Sequence, residues 1–133
     1  TKKIQIEARV LGDLAMNHIL PVATACQSRL IDAVYKMKEL FAEEKSARLT
    51  RENLKLIEEI GERVLFITGH VDAMVEARKV ANKITDEREK AIAYHDHIAP
   101  MLEEIRYHLD KLELIVDNEA WPLPKYSELL FIR

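Results

Sequence analysis

Five histidines are the side chains of this sequence best suited to bind a metal ion or to transfer a proton. His95 and His97, in the segment YHDHIAP, lie two residues apart, which on a helix separates them by roughly 200° around the axis. The two imidazoles would therefore lie on different faces of the helix and could not bind the same ion. The helical pattern predicts His95 in an apolar seam and His97 facing outward. Glu104 and His108 are four residues apart, a spacing typical of a hydrogen bond on a helix surface.

Other catalytic patterns are also missing from the sequence. Di-iron bundles need glutamate followed three residues later by histidine, and this chain has no such pair. Gly12, Gly61 and Gly69 are far apart and lie within helical patterns, so they predict no phosphate-binding loop. The single cysteine, Cys26, cannot form an internal disulfide or a paired zinc motif. We therefore predict no catalytic residue, no cofactor-binding residue and no metal ligand in this chain.

Composition describes one folded domain. The chain has 133 residues, 48% of them hydrophobic and 32% charged, with only three glycines and four prolines. A net charge of −3 provides no basic field for nucleic acid or anionic lipid, and no apolar run is long enough to span a membrane. The start lacks the hydrophobic segment of a signal peptide, and Cys26 lies in an apolar stretch. We expect a buried thiol and a cytoplasmic protein without nucleic-acid or membrane partners.

Helical spacing dominates the sequence, with apolar residues recurring at alternating steps of three and four. Thr50, with Glu52 in the first turn, is predicted to cap one long helix, and Thr85 is predicted to cap the next. The segment EEKSARL is expected to make the turn before Thr50. Three seams are predicted: Val22, Cys26, Leu30, Val34, Met37 and Phe41; Ile57, Ile60, Val64, Ile67, Val71, Met74 and Ala81; and Ala91, His95, Ile98, Leu102, Ile105, Leu109, Leu112 and Val116.

Pro21 and Pro100 fall inside helical patterns, where proline removes a hydrogen bond and clashes with the preceding turn. Because Leu20 and Ala99 are poor N-caps, we interpret both prolines as kinks rather than helix starts. The predicted fold is all-α: an antiparallel three- to four-helix bundle of long helices, kinked at Pro21 and Pro100, with an extended C-terminal tail. Within a single domain, 1–133, we expect a helical arm over 1–20, helices over 21–45, 50–84 and 86–116, and a tail over 117–133.

The arm is predicted to carry an apolar stripe that needs a partner surface. The stripe consists of Ile4, Ala8, Leu11, Ala15 and Ile19, widened by Val10 and Leu14. The tail, DNEAWPLPKYSELLFIR, contains two prolines that favour an extended path. We expect it either to latch onto its own bundle or to dock on another domain or subunit. Its candidate docking residues are Trp121, Leu123, Tyr126, Leu129, Leu130 and Phe131.

Two blocks at opposite ends of the chain, IEARVLGDLAMNHILPVA and DNEAWPLPKYSELLFIR, resemble the C-terminal region of type III glutamine synthetases. The helices between them, including HLDKLELIVDN, look similar to the same family. The resemblance implies that the chain is the last domain of a longer enzyme that joins glutamate and ammonia. That enzyme is implied to use ATP and Mg²⁺ or Mn²⁺ in upstream domains, and to form a homo-oligomer. The helical domain would then be structural, packing on its catalytic domain or on neighbouring subunits.

Two other hypotheses remain open at this point. The chain could be a stand-alone helical-bundle module whose seam accepts a partner helix. It could also be an all-α enzyme that uses buried arginine and glutamate for a metal-free rearrangement. Arg78, at a seam position of the second long helix, is the one hint of such an enzyme, although an arginine there more often reaches solvent or pairs with a glutamate.

Overall fold

A computed structural model of the protein describes residues 2–116. Thr1 and residues 117–133 lie outside the described residues, and with them the predicted tail and all six candidate docking residues. Helix accounts for 93% of the described part, which contains no strand. Four continuous helical stretches, 2–40, 43–49, 51–82 and 87–115, confirm the all-α class.

The elements follow one another with very short connections. They are α1 (Lys2–Leu14), π1 (Ala15–Ile19), α2 (Leu20–Leu40), α3 (Glu43–Leu49), α4 (Arg51–Asn82), α5 (Glu87–Ala93), π2 (Tyr94–Ile98) and α6 (Ala99–Ile115). None of these helices combines the length and the apolar character needed to cross a membrane.

Helix α4 packs against both α2 and α6. Gln27 of α2 donates from Nε2 to the carbonyl of Ile57, while Gly12 of α1 lies near Met74, so the first helical stretch and α4 run in opposite directions. On the other side, Tyr94 bonds to Asn82 and Arg63 bonds to His108, which makes α6 antiparallel to α4 as well. The first helix also contacts π2 and α6, and Arg106 bridges Glu7 at 3.1 Å.

The connection between α2 and α4 differs from the prediction. Helix α2 ends at Leu40, because Phe41 and Ala42 take extended backbone conformations with ψ of 157° and 155°. The segment EEKSARL then forms α3 instead of a turn. Acidic residues in its first turn and Arg48 in its last turn complement the helix dipole, which favours this short helix.

Thr50 and Thr85, the two predicted N-caps, lie at or next to the start of a helix, but neither side chain caps that helix. Thr50 precedes α4, yet its hydroxyl donates backwards to the carbonyl of Ser46 at 2.7 Å and makes no side-chain cap. Because α3 ends immediately before it, a helical carbonyl is within reach of the buried hydroxyl. Asp86, one residue beyond the predicted Thr85, caps α5 by accepting a hydrogen bond from the Arg88 amide at 3.2 Å.

A π-helical segment ends two residues before Pro21, and another ends two residues before Pro100. The Leu20 amide bonds to Ala15 and the Ala99 amide bonds to Tyr94, each five residues back. In an ordinary α-helix the proline ring clashes with the carbonyl four residues earlier. The wider π turn changes the backbone geometry there and relieves this clash. The helical stretch consequently runs through Pro21 and Pro100 without interruption. A bend of the helix axis at either proline stays a prediction.

The second π segment changes which residue enters the core. Tyr94 is fully buried, whereas His95, predicted in the seam, is exposed, so that prediction is wrong. The π turn inserts an extra residue between hydrogen-bonded partners and shifts the helical phase ahead of Ile98. His97 is exposed, as predicted. From Ile98 onward the predicted seam is buried throughout, at Ile98, Leu102, Ile105, Leu109, Leu112 and Val116.

Candidate functional site

A group of polar and aromatic side chains joins α4 to α6. Arg63 Nη1 lies 2.8 Å from His108 Nδ1. Arginine is always protonated and can only donate, so His108 Nδ1 accepts and the imidazole carries its proton on Nε2. Arg63 Nε also lies 3.8 Å from Glu59 Oε2, one turn earlier on α4.

The pKa of His108 is lowered from its ordinary value of 6.5. Burial is the main cause, since it disfavours the charged imidazolium, and the positive charge of Arg63 acts in the same direction. His70 adds a smaller effect of the same sign, while the carboxylate of Glu104 opposes it. His108 therefore stays neutral at neutral pH and keeps its lone pair available to Arg63.

Aromatic rings support this contact. Phe66 stacks on His70 and on His108, with both centroid distances at 3.7 Å. Tyr107 meets the His108 ring edge-on at 5.2 Å, and the Arg63 guanidinium lies 5.7 Å from the Tyr107 centroid. Such contacts add packing energy to the buried area and hold the imidazole in one orientation.

An open groove of about 520 Å³ borders the cluster. Its lining is mixed in charge: Lys55, Glu58, Glu59, Glu62, Arg63, Phe66 and His108. His108 is poorly placed to act as a general base towards this groove, because its accepting nitrogen is taken by Arg63 and the other nitrogen carries the proton. The arrangement is best suited to tie α4 to α6.

The structure places several of the side chains that the sequence analysis considered. Across residues 2–116, no three His, Cys, Asp or Glu side chains gather in a way that could hold a metal ion. Cys26 is buried, as predicted. His108 bonds to Arg63 rather than to Glu104, which influences it only through charge. Arg78 is half-buried, and its Nε atom is buried without a hydrogen-bond partner among the described residues.

A second candidate site is an exposed apolar face on α1. Ala8 is 1% exposed and faces the core, whereas Ile6 and Val10 are 56% and 58% exposed. Val10, predicted to widen the apolar stripe of this arm, is therefore not covered by the bundle, because the small Ala8 and Ala15 bring only one narrow side of the first helical stretch against it. Ile6, Arg9, Val10, Asp13 and Leu14 line a groove of about 470 Å³, here called the α1 groove.

The Arg63–His108 pair was missed by the sequence analysis. The two residues are 45 positions apart and belong to different helices, so no periodicity links them. Arg63 follows Glu59 at helical spacing, which predicts an ordinary surface ion pair and nothing more. The six tail residues proposed for docking lie outside the described residues.

Comparisons with known proteins agree with the resemblance found in the sequence. Residues 1–38 match the family model of the glutamine synthetase C-terminal domain, over α1, π1 and most of α2. The first part of the chain is therefore similar to the glutamine synthetase C-terminal domain.

Two relatives extend the match over the remaining helices. A protein named glutamine synthetase from Bacteroides fragilis (strain YCH46) is 51% identical over 133 residues, all of this chain. A type-3 glutamine synthetase from Dictyostelium discoideum is 30% identical over 132 residues, 99% of the chain. The chain spans only 18% of the length of each relative. The resemblance to type III glutamine synthetases is confirmed.

Proposed function

We propose that the chain is the C-terminal helical domain of a type III glutamine synthetase, an enzyme that ligates ammonia to glutamate at the expense of ATP. The alignment of the whole chain with relatives of that name supports the proposal. The parent enzyme would work in the cytoplasm with ATP and Mg²⁺ or Mn²⁺. The described residues offer no cluster of metal ligands, and we derive no step of the reaction from them.

The domain itself is proposed to be structural. This proposal rests on the two sides of α1: Ala8 packs into the core, whereas Ile6 and Val10 are exposed. Exposed apolar residues beside a groove are typical of protein interfaces. We propose that the α1 groove packs on the catalytic domain of the parent enzyme or on a neighbouring subunit of a homo-oligomer.

A double substitution in the parent enzyme tests this role. Ile6→Glu with Val10→Glu places two carboxylates where apolar contact is proposed, and burying each wild-type side chain is worth about 1.5–3 kcal/mol. We expect the assembled oligomer to dissociate at protein concentrations at least tenfold higher than for the wild type, as measured by native mass spectrometry, with lower specific activity after dilution.

The matched control is Val80→Glu, on an exposed side chain of α4. Circular dichroism must first show that both variants retain their helix content. An Ile6→Glu/Val10→Glu enzyme with unchanged assembly, stability and activity would remove the α1 groove from the proposal. Deletion of the entire domain provides the broader test, and full activity and assembly after deletion would contradict a structural role.

A stand-alone interaction module is the second candidate. The α1 groove supports this second candidate equally, because the exposed apolar side chains of a helix can bind an amphipathic partner helix. Native mass spectrometry of the chain mixed with the remainder of the parent enzyme separates the two. Specific re-association supports the enzyme-domain proposal, whereas indifference to the remainder supports the independent module.

A further inference from the structure

Three exposed basic side chains line one groove where α3 meets α4. Lys45 and Arg48 belong to α3, and Arg51 is the first residue of α4. The groove, here called the α3 groove, has a volume of about 670 Å³. The rest of its lining is Ala42, Glu44 and Ala47. Both alanines present only a methyl group, which leaves room for a ligand beside the basic side chains.

Helix α3 is anchored on the side that faces away from this groove. It contacts α2 and α4, and Ser46 and Thr50 are buried there. The Ser46 hydroxyl donates to the Glu43 carbonyl at 3.1 Å, and the Thr50 hydroxyl donates to the Ser46 carbonyl at 2.7 Å. Lys45 Nζ lies 4.9 Å from the centroid of the Phe41 ring, a favourable cation–π contact. Because these contacts exist before a ligand arrives, less conformational entropy is lost on binding.

The three cations lack carboxylate partners within the part of the chain that the structure describes. Arg48 follows Glu44 at the helical spacing typical of an ion pair, yet neither of them forms one there. Glu52, next to Arg51, lies 3.5 Å from the ammonium of Lys55 instead. The groove thus combines three positive groups with one negative group. It can attract an anion at short range although the whole chain carries a net charge of −3, because salt screens distant exposed charges.

We propose that the α3 groove binds a diphosphate group, either as a free anion or as part of a nucleoside diphosphate. Arg48 and Arg51 each carry a planar guanidinium whose donors fit two phosphate oxygens at once, and Lys45 adds a compact positive charge. A diphosphate concentrates several negative charges in one small group, which suits three cations around one groove better than a single carboxylate does. Side chains supply all of these contacts, so the site needs no glycine-rich loop. The inference goes beyond the proposed structural role and does not depend on it.

Isothermal titration of the full 133-residue chain with inorganic pyrophosphate at low ionic strength tests the site. We expect saturable binding of one pyrophosphate per chain. Arg48→Gln with Arg51→Gln removes two charge-assisted contacts and should weaken this binding by about tenfold or more. The matched control, Lys83→Gln with Arg88→Gln, removes the same charge from exposed side chains beyond the other end of α4. It should change the affinity by less than about twofold, because salt screens charges at that distance.

Titration with ADP identifies the source of the diphosphate. An ADP affinity equal to or below that of pyrophosphate shows that the diphosphate group alone is recognised, whereas a higher affinity shows that the nucleoside adds contacts. Both results support the site. The proposal is overturned if pyrophosphate does not bind saturably, or if the control variant loses as much affinity as the Arg48→Gln/Arg51→Gln variant.

Nuclear magnetic resonance of the wild-type chain covers the case in which a substitution disturbs α3. Pyrophosphate should shift the backbone amide signals of residues 42–52 more than those of any other described segment. Shifts of similar size at exposed basic residues throughout the chain would show general charge attraction and would also overturn the proposal. Circular dichroism of both double variants checks that their helix content is unchanged.

Discussion

At the level of single residues, the Arg63–His108 pair has the clearest chemical consequence. Its hydrogen bond requires a neutral imidazole, and burial with the nearby Arg63 charge keeps the pKa of His108 below its ordinary value. Protonation would place two cations in contact inside a partly buried stack. The pair is therefore a stabilising contact whose strength depends on pH.

We predict that the free energy of unfolding falls as the pH drops below about 6.5, the ordinary value for histidine. In that range the unfolded chain binds a proton at His108 and the folded chain does not, so acid favours unfolding; the loss levels off below the folded-state pKa. Urea denaturation between pH 7.5 and 5 measures the slope. His108→Gln should flatten it, and His95→Gln, at an exposed position, should leave it unchanged. Equal slopes for wild type and His108→Gln would contradict the assignment.

Tyr94 provides a residue-level test of the helical phase. Tyr94→Ala should cost about 3–5 kcal/mol because it empties a fully buried aromatic site. Tyr94→Phe, which removes only the hydrogen bond to Asn82, should cost about 1 kcal/mol. His95→Ala should change stability by less than about 0.5 kcal/mol. A larger loss of unfolding free energy for His95→Ala than for Tyr94→Ala, measured by chemical denaturation, would contradict the placement of Tyr94 in the core.

At the level of helices, the sequence specifies most elements but not their irregular turns. The steps of three and four place Ile60, Ile67 and Met74 correctly inside the bundle. The same counting fails at His95, because a heptad pattern has no place for the extra residue of a π turn. Helix α3 was missed because a seven-residue helix is too short to display a periodic apolar face.

The glycines of α4 allow a prediction for this helix. Gly69→Ala should raise the free energy of unfolding by about 0.8–1 kcal/mol, because alanine is the better helix former and the added Cβ meets no atom within 4 Å. At Gly61 the added Cβ would lie 3.2 Å from Gln27 Nε2, the donor to Ile57. Gly61→Ala should therefore gain nothing or lose stability. Thermal unfolding compares the two, and an equal gain at both sites would show that the Gln27 contact is unimportant.

For the molecule as a whole, stability resides in the core between α1, α2, α4 and α6. Leu102 is 2% exposed and belongs to the core cluster, whereas Leu65 on α4 is 75% exposed. Leu102→Ala should cost about 2–5 kcal/mol, while Leu65→Ala should stay within about 0.5 kcal/mol. Urea denaturation of the two variants measures both changes. Similar losses at the two positions would contradict the helix packing described above.

The candidate sites differ in how far a linear sequence can predict them. The apolar stripe of the first helix was visible as a pattern, but which of its members stay exposed depended on the small residues that set how α1 lies on the bundle. The contact of Arg63 with His108 could not be predicted from the sequence, since it depends on the register of α4 against α6.

Periodicity was sufficient for the all-helical class and for most seam positions, and the two terminal blocks were sufficient for the resemblance to type III glutamine synthetases, because apolar spacing and family motifs are local properties of the chain. Packing alone placed Tyr94 instead of His95 in the core, joined Arg63 to His108 and left Ile6 and Val10 uncovered. Each of these outcomes depends on the relative phase of two helices. That phase follows from steric fit between surfaces distant in sequence, and no local pattern encodes it.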